Sequence, residues 1–277
     1  MNEIKLVYRS IDGVELEGLL YQPDGPPPYD LVIDVHGGAW SSGHYESGRF
    51  YDTKLAEAGI CVFAINFRHG PDFSHPSASS DIAAAIRFAK SALGIEYTQI
   101  GLVGSSSGGH LALYTSLLPN VAAHQEEAAD ISDEVDFLIA LWPVSNPLAR
   151  YQYVLAWEQA PQETLGPNFT PDRLARGSMS YFRSREAMNE ASIQRILALN
   201  KFQDLPRVFV VQPELDLNVP VFMTESLHGA LLDAGADVKY KLYRDVAHGF
   251  ASSEGPQTGS CIEDMIKFIA AVPVDIA

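Results

Sequence analysis

Apolar and polar positions divide the chain into a β-hairpin followed by alternating strands and helices. Residues 3–9 and 14–22 read as two strands around the turn Asp12-Gly13, the antiparallel start of a sheet. After Pro26-Pro27-Pro28, apolar runs place strands near 30–36, 61–66, 99–103, 136–142, 207–212 and 237–243. Between them Ile82, Ile86, Ala89 and Leu93 mark one helix face, and beyond the last strand Ile262, Met265, Ile266 and Ile269 mark another. This alternation predicts an α/β chain with a mainly parallel, doubly wound sheet covered on both faces. No internal repeat or low-complexity segment interrupts it.

One connection is too long for the pattern. A crossover with its helix needs about a dozen residues, whereas 146–205 separates the strand ending near Trp142 from the one starting near Arg207. The segment is rich in aromatic residues and leaves the sheet at its carboxyl edge, where open α/β sheets assemble their sites. It reads as a helical cap insertion within a single domain, 1–277, with Tyr151, Trp157, Tyr181 and Phe182 as apolar walls of a substrate pocket. Trp40 and Phe250 are further pocket candidates.

Composition narrows the class. With 277 residues, 47% hydrophobic and 19% charged, the chain can bury one sizeable core. No run reaches the roughly 18 apolar residues of a membrane span, and the first residues lack a signal peptide's basic and apolar segments, so the expected compartment is the cytoplasm. Cys61 and Cys261 read as packing residues in a reducing compartment. The formal charge of −16 argues against nucleic acid and anionic membranes as partners, and favours neutral or cationic substrates. The oligomeric state stays open, a homodimer among the alternatives.

The candidate chemistry centres on Gly104-Ser105-Ser106-Ser107-Gly108, which follows a strand and opens a helix. This is the GxSxG pattern of a nucleophile elbow: small neighbours permit a strained turn that lifts the Ser106 hydroxyl clear of the sheet. A serine hydroxyl needs a base, and the base needs a group that fixes its tautomer. Asp216, just past the strand ending near 212, and His248, past the last strand, follow in the order Ser, Asp, His. Glu214 and Asp245 are rival acids, with Asp245 read as a loop cap or orienter. The strand into His36-Gly37-Gly38 offers amides for an oxyanion hole, formed by Gly37, Gly38 and Ser107. His36 itself reads as an orienter of that loop. His44, His69, His75, His110, His124 and His228 have no metal-ligand spacing, and GxGxxG is absent, so neither a metal nor a cofactor is expected. Asp81 reads as a helix cap or first-turn acid.

HGGAW at 36–40, the GSSSGGHLAL elbow, the aspartate before LNVP and AHGF at 247–250 resemble an α/β-hydrolase carboxylesterase of the hormone-sensitive-lipase-like group, over about residues 14–270. The resemblance implies the α/β-hydrolase fold, Ser106 as nucleophile, Asp216 as acid and His248 as base; without a long lipid-facing surface or signal peptide, the expected substrate is a small soluble ester with a short acyl group. Three departures stand out: Ala39 replaces the third glycine of HGGG, Ser105 and Ser107 replace the residues of GDSAGG, and only 35 residues precede His36. Kynurenine-formamidase-like amide hydrolases share the short N-terminus and the HGG loop and are the alternative enzyme class. A non-catalytic small-molecule receptor of the same fold is the third reading.

Overall fold

The computed structural model describes residues 1–121, 130–161, 164–165 and 169–271; His124 and the chain beyond residue 271 lie outside them. Eight strands form one sheet: β1 (Asn2–Ile11), β2 (Val14–Gln22), β3 (Tyr29–Val35), β4 (Cys61–Ile65), β5 (Tyr97–Ser105), β6 (Phe137–Leu141), β7 (Arg207–Pro213) and β8 (Val238–Tyr243). Their order is β1-β2-β4-β3-β5-β6-β7-β8, antiparallel for β1, β2 and β4 at one end and parallel from β4 to β8. This is the α/β-hydrolase arrangement expected from the sequence.

The described helices are α1 (Arg49–Glu57), α2 (Ser77–Ser91), α3 (Ser107–Leu117), α4 (Pro147–Ala156), α5 (Pro171–Phe182), α6 (Arg185–Glu190), α7 (Ile193–Leu199), α8 (Val221–Asp233) and α9 (Thr258–Ala270). Strand side chains alternate between two cores. Leu31, Ile33 and Val35 of β3 face the layer of α2, α3 and α8, while Val32 faces α1 and α9. Chain order reverses at β3, which lies between β4 and β5, and the crevice beyond the carboxyl ends of β3 and β5 is where such sheets place ligands. Helices α4 to α7 lie within 146–205, of which residues 162–163 and 166–168 are outside the described set, and α4 and α5 pack on Ala39 in the loop after β3 at that edge. Cys61 and Cys261 are buried free thiols, each pushed up to about 12 by burial.

The two ends of the sheet are secured by charge. Arg68, after β4, is buried and donates to Asp81 of α2 through its backbone and guanidinium, and to Asp12 of the β1–β2 turn at 2.6 Å. Arg9 of β1 also pairs with Asp81. Asp81 therefore is not the cap or first-turn acid read from the sequence: α2 begins at Ser77, and Asp81 sits in its second turn as the anchor of two arginines. At the other end Lys239 and Lys241 of β8 both pair with Asp264 of α9, which also accepts from the Tyr243 hydroxyl at 2.6 Å.

Between β3 and α1, two carboxyl groups are buried together. Asp34 accepts from the Tyr51 hydroxyl at 3.0 Å, and neither oxygen of Asp52 has a hydrogen-bond partner among the described residues. Burial raises Asp34 to about 7 against the pull of Tyr51, and burial with the Asp34 charge raises Asp52 well above the carboxylate range. Folding thus favours the protonated forms. Their contribution is complete below the ordinary value of 3.8 and is lost as pH rises toward and through the raised values. Asp52→Asn, neutral at every pH, is expected to melt a few degrees above wild type at pH 8 and to lose that advantage near pH 4. Melting curves at the two pH values test this, and an equal difference at both would refute it.

Candidate active site

Ser106 alone joins β5 to α3, at φ 54° and ψ −117°. This lies outside the regions L-residues favour and is held by three bonds. Its amide donates to the Leu141 carbonyl at 2.9 Å, and its carbonyl accepts from Val144 at 3.1 Å and His110 at 3.2 Å. The turn needs glycine at 108, where a β-carbon would stand 2.0 Å from the Val35 carbonyl oxygen. The first turn of α3 therefore presses on the end of β3, and the loop from His36 lies against Ser105 and Ser106.

The loops after β7 and β8 deliver the partners. Glu214 and Leu215 donate their amides to the carbonyls of Tyr243 and Val246 at 2.8 and 2.9 Å, fixing one loop on the other. Asp216 is buried, its Oδ1 accepting from the amides of Asn218 and Val219 at 2.8 and 2.9 Å. Its Oδ2 lies 2.7 Å from His248 Nδ1, and His248 Nε2 lies 3.0 Å from Ser106 Oγ. With the carboxylate accepting, Nδ1 carries the ring proton and Nε2 accepts from the serine hydroxyl. Such an arrangement can receive the hydroxyl proton and balance the resulting imidazolium. The rival acids are elsewhere: Glu214 meets Arg244 and the Asp245 amide, and Asp245 is exposed.

Gly37 and Gly38 line a cavity of about 500 Å³ that holds Ser106 and His248. Neither glycine amide donates to another described group, and Ser107, at the first position of α3, has no acceptor one turn back. Gly38 has φ +130°, and a β-carbon there would collide with the Ser42 carbonyl. His36 is buried, stacks on Phe67 with ring centres 4.2 Å apart, and donates from Nδ1 to the Gly37 carbonyl at 2.8 Å. Burial lowers it to about 4, so it stays neutral and shapes the loop.

The aromatic pocket expected from the sequence does not form. None of Trp40, Tyr151, Trp157, Tyr181, Phe182 and Phe250 lines this cavity. Trp40 and Phe182 pack edge to face at 5.0 Å, both buried. The buried Tyr181 hydroxyl accepts from the Ala78 amide at 3.1 Å. Tyr151 lies beneath Arg185, Trp157 packs on Phe169, and Phe250 on Trp142 and Tyr243. Large apolar rings gain most by losing contact with water: Phe182 and Tyr181 secure the insertion to the loop after β3 and to α2, Tyr151 and Trp157 pack within the insertion, and Phe250 packs beside β6 and β8. The walls instead come from Trp142 at the end of β6, from Thr170, Arg173 and Leu174 at the start of α5, and from Asn218 and Ser252. Trp142 follows the strand beside the elbow, and position at a strand's carboxyl end is the signal that marks it. Small and polar loop residues carry no comparable signal. Among the described residues no group of three or more His, Cys, Asp or Glu is placed to hold a metal ion, and no helix is long and apolar enough to cross a membrane.

Residues 32–252 match the family described as alpha/beta hydrolase fold. The probable isoprenylcysteine alpha-carbonyl methylesterase of Oryza sativa subsp. japonica is 28% identical over 263 residues, covering 92% of this chain and 61% of that protein. The ethyl acetate hydrolase of Pseudomonas putida is 30% identical over 185 residues, 58% of this chain and 56% of that protein. The chain spans about three fifths of the length of these curated relatives. Among solved structures, the Pyrobaculum calidifontis esterase superposes with a TM-score of 0.76 at 21% identity, over 97% of this chain and 84% of that one. A thermophilic esterase of Thermogutta terrifontis with propionate bound gives 0.73 at 23%, over 96% and 93%. At these identities the likeness is one of fold.

The packing of Phe182 has a measurable consequence. Phe182→Ala leaves a cavity between Trp40, His110 and Tyr181 and is expected to lower unfolding free energy by about 3–5 kcal/mol in denaturant titration. A loss below about 1 kcal/mol would show that the ring is not part of the core.

Proposed function

The chain belongs to the α/β-hydrolase fold family, and from that premise we propose that it hydrolyses small carboxylic esters with short acyl groups through an acyl-serine intermediate. The observation that carries this reading is the unbroken hydrogen-bond chain from Asp216 through His248 to Ser106, opening on the cavity. Ser106 Oγ attacks the ester carbonyl carbon as its proton passes to His248 Nε2. Asp216 holds the ring and stabilises the imidazolium, and the amides of Gly37, Gly38 and Ser107 receive the oxyanion. His248 then protonates the departing alkoxide. Water enters, gives a proton to the same nitrogen and attacks the acyl carbon, and collapse of the second tetrahedral intermediate frees the acid and returns the proton to Ser106. The names of the rice and Pseudomonas relatives are those of ester hydrolases, and the Thermogutta protein holds a short carboxylic acid; both support the reading. The cavity volume suits a small ligand.

Ser106→Ala is expected to abolish labelling by a fluorophosphonate probe and to lower kcat on p-nitrophenyl acetate by about four to six decades. Asp216→Asn is expected to keep the fold and lose roughly 10⁴ in kcat, because the ring is then held in the wrong tautomer. Esterase activity retained in Ser106→Ala would overturn the mechanism, and a silent Glu214→Gln beside an active Asp216→Asn would reassign the acid.

A further inference from the structure

The catalytic cavity is charged against the molecule that surrounds it. The chain carries 35 acidic and 19 basic side chains, a formal charge of −16. Yet among the described residues no Asp or Glu lines the cavity, and its charged wall is the guanidinium of Arg173. Arg173 stands in the first turn of α5 without an ion pair or hydrogen bond among the described residues, while its neighbour Arg176 pairs with Asp172. Arg173 is exposed, and at the wall that holds the serine its guanidinium is open to an anion entering the cavity.

A second guanidinium stands behind that wall. Arg150 of α4 is 1% exposed. It donates to Ser178 Oγ at 3.0 Å and lies over the Trp40 ring at 5.3 Å, but its Nε has no partner and no carboxylate pairs with it among the described residues. The equally buried Arg68, by contrast, is held by Asp81 and Asp12. Burial and then the like charge of Arg173 lower Arg150 to about 9, against the opposing pull of Asp216. Asp216 is committed to His248. Two mutually repelling cations beside one cavity, with the nearby carboxylate already engaged, are compensated when the cavity takes up negative charge.

We propose that the substrate is an ester bearing an ionised carboxylate, which Arg173 grips while Ser106 attacks the ester carbonyl. This rests on the ester-hydrolase reading and supplies its substrate class. It also reverses the expectation drawn from net charge, because the local field of the cleft, and not the sum over the surface, acts on a bound group.

The test compares isosteric pairs. Monoethyl succinate against ethyl 4-methylpentanoate places the carboxylate on the acyl side, and O-acetyl-lactate against 3-methyl-2-butyl acetate places it on the alcohol side. In wild type, the ratio of kcat/KM for the anionic over the neutral ester is expected to exceed about 10 in at least one pair, and to fall with added salt. Arg173→Gln is expected to lower that ratio roughly 10- to 100-fold, with Arg173→Lys between the two. A wild-type ratio at or below 1 in both pairs, or a ratio that Arg173→Gln leaves within about twofold, overturns the proposal. Hydrolysis of the neutral esters reports separately on the ester-hydrolase reading. Binding measured without chemistry completes the separation: calorimetric titration of Ser106→Ala with monoethyl succinate and with O-acetyl-lactate should show binding of at least one that weakens roughly tenfold or more when Arg173→Gln is added. Equal binding of both anionic esters by the two proteins overturns the carboxylate site even if no ester is turned over.

Discussion

The site depends on how closely the first turn of α3 approaches the end of β3. With no side chain at Gly108, the helix lies within van der Waals reach of the Val35 and His36 carbonyls. That contact sets the loop from His36 beside Ser106, and so decides where the amides of Gly37 and Gly38 stand relative to the hydroxyl. The strained Ser106 backbone is part of the same constraint. It is tolerated because Leu141 and Val144, flanking the end of β6, bond both its amide and its carbonyl. The neighbouring strand thus stabilises a conformation that β5 and α3 would not keep alone.

The insertion is joined to this machinery by a polar thread through the core. Trp40, in the loop after β3, donates its indole N–H to His110 Nδ1 at 3.2 Å, and His110 Nε2 donates to the Ala191 carbonyl at 2.8 Å. His110 is fully buried and pushed down to about 3 by that burial, so it stays neutral and serves one donor and one acceptor at once. The loop near the serine, the helix behind the serine and the junction of α6 with α7 are thereby fixed to one another. Ala39 adds an apolar contact of the same sense, packing with Val154, Leu174 and Ala175 of the insertion.

Periodicity is a good guide to the sheet because β3, β4, β6 and β7 are almost wholly buried, and a short unbroken apolar run between turn residues favours a buried strand. The hydrogen-bonded group of Ser106, Asp216 and His248 is legible because the proposed chemistry calls for those residue types in that order, here at the ends of β5, β7 and β8. The cavity wall is not. Aromatic content in 146–205 signals burial, and a ring buried against the sheet leaves the same trace in a sequence as a ring facing a ligand. Thr170, Arg173 and Asn218 resemble any loop or helix start until the fold brings them to the serine. Helix α8 shows the limit from the other side, since it exposes Phe222 and Leu232 and so blurs the stripe by which a helix is recognised. The role of Asp81 escapes a reading of the sequence because α2 starts one turn earlier than its apolar residues announce.

The lysines on β8 bear on a hazard that all open sheets share. This strand ends the sheet, so its outer row of backbone donors and acceptors is a template on which a foreign strand can grow. Lys239 and Lys241 flank that row, both paired with Asp264, and both lie over aromatic faces, of Phe209 at 4.4 Å and Tyr243 at 4.7 Å. An arriving strand would have to settle beside two ammonium groups held in place by the protein's own carboxylate and rings. Among the described residues this edge is therefore guarded by fixed charges, beside the loops after β7 and β8 that bring Asp216 and His248 to Ser106, so that a border resisting polymerisation also keeps those loops clear of a foreign strand.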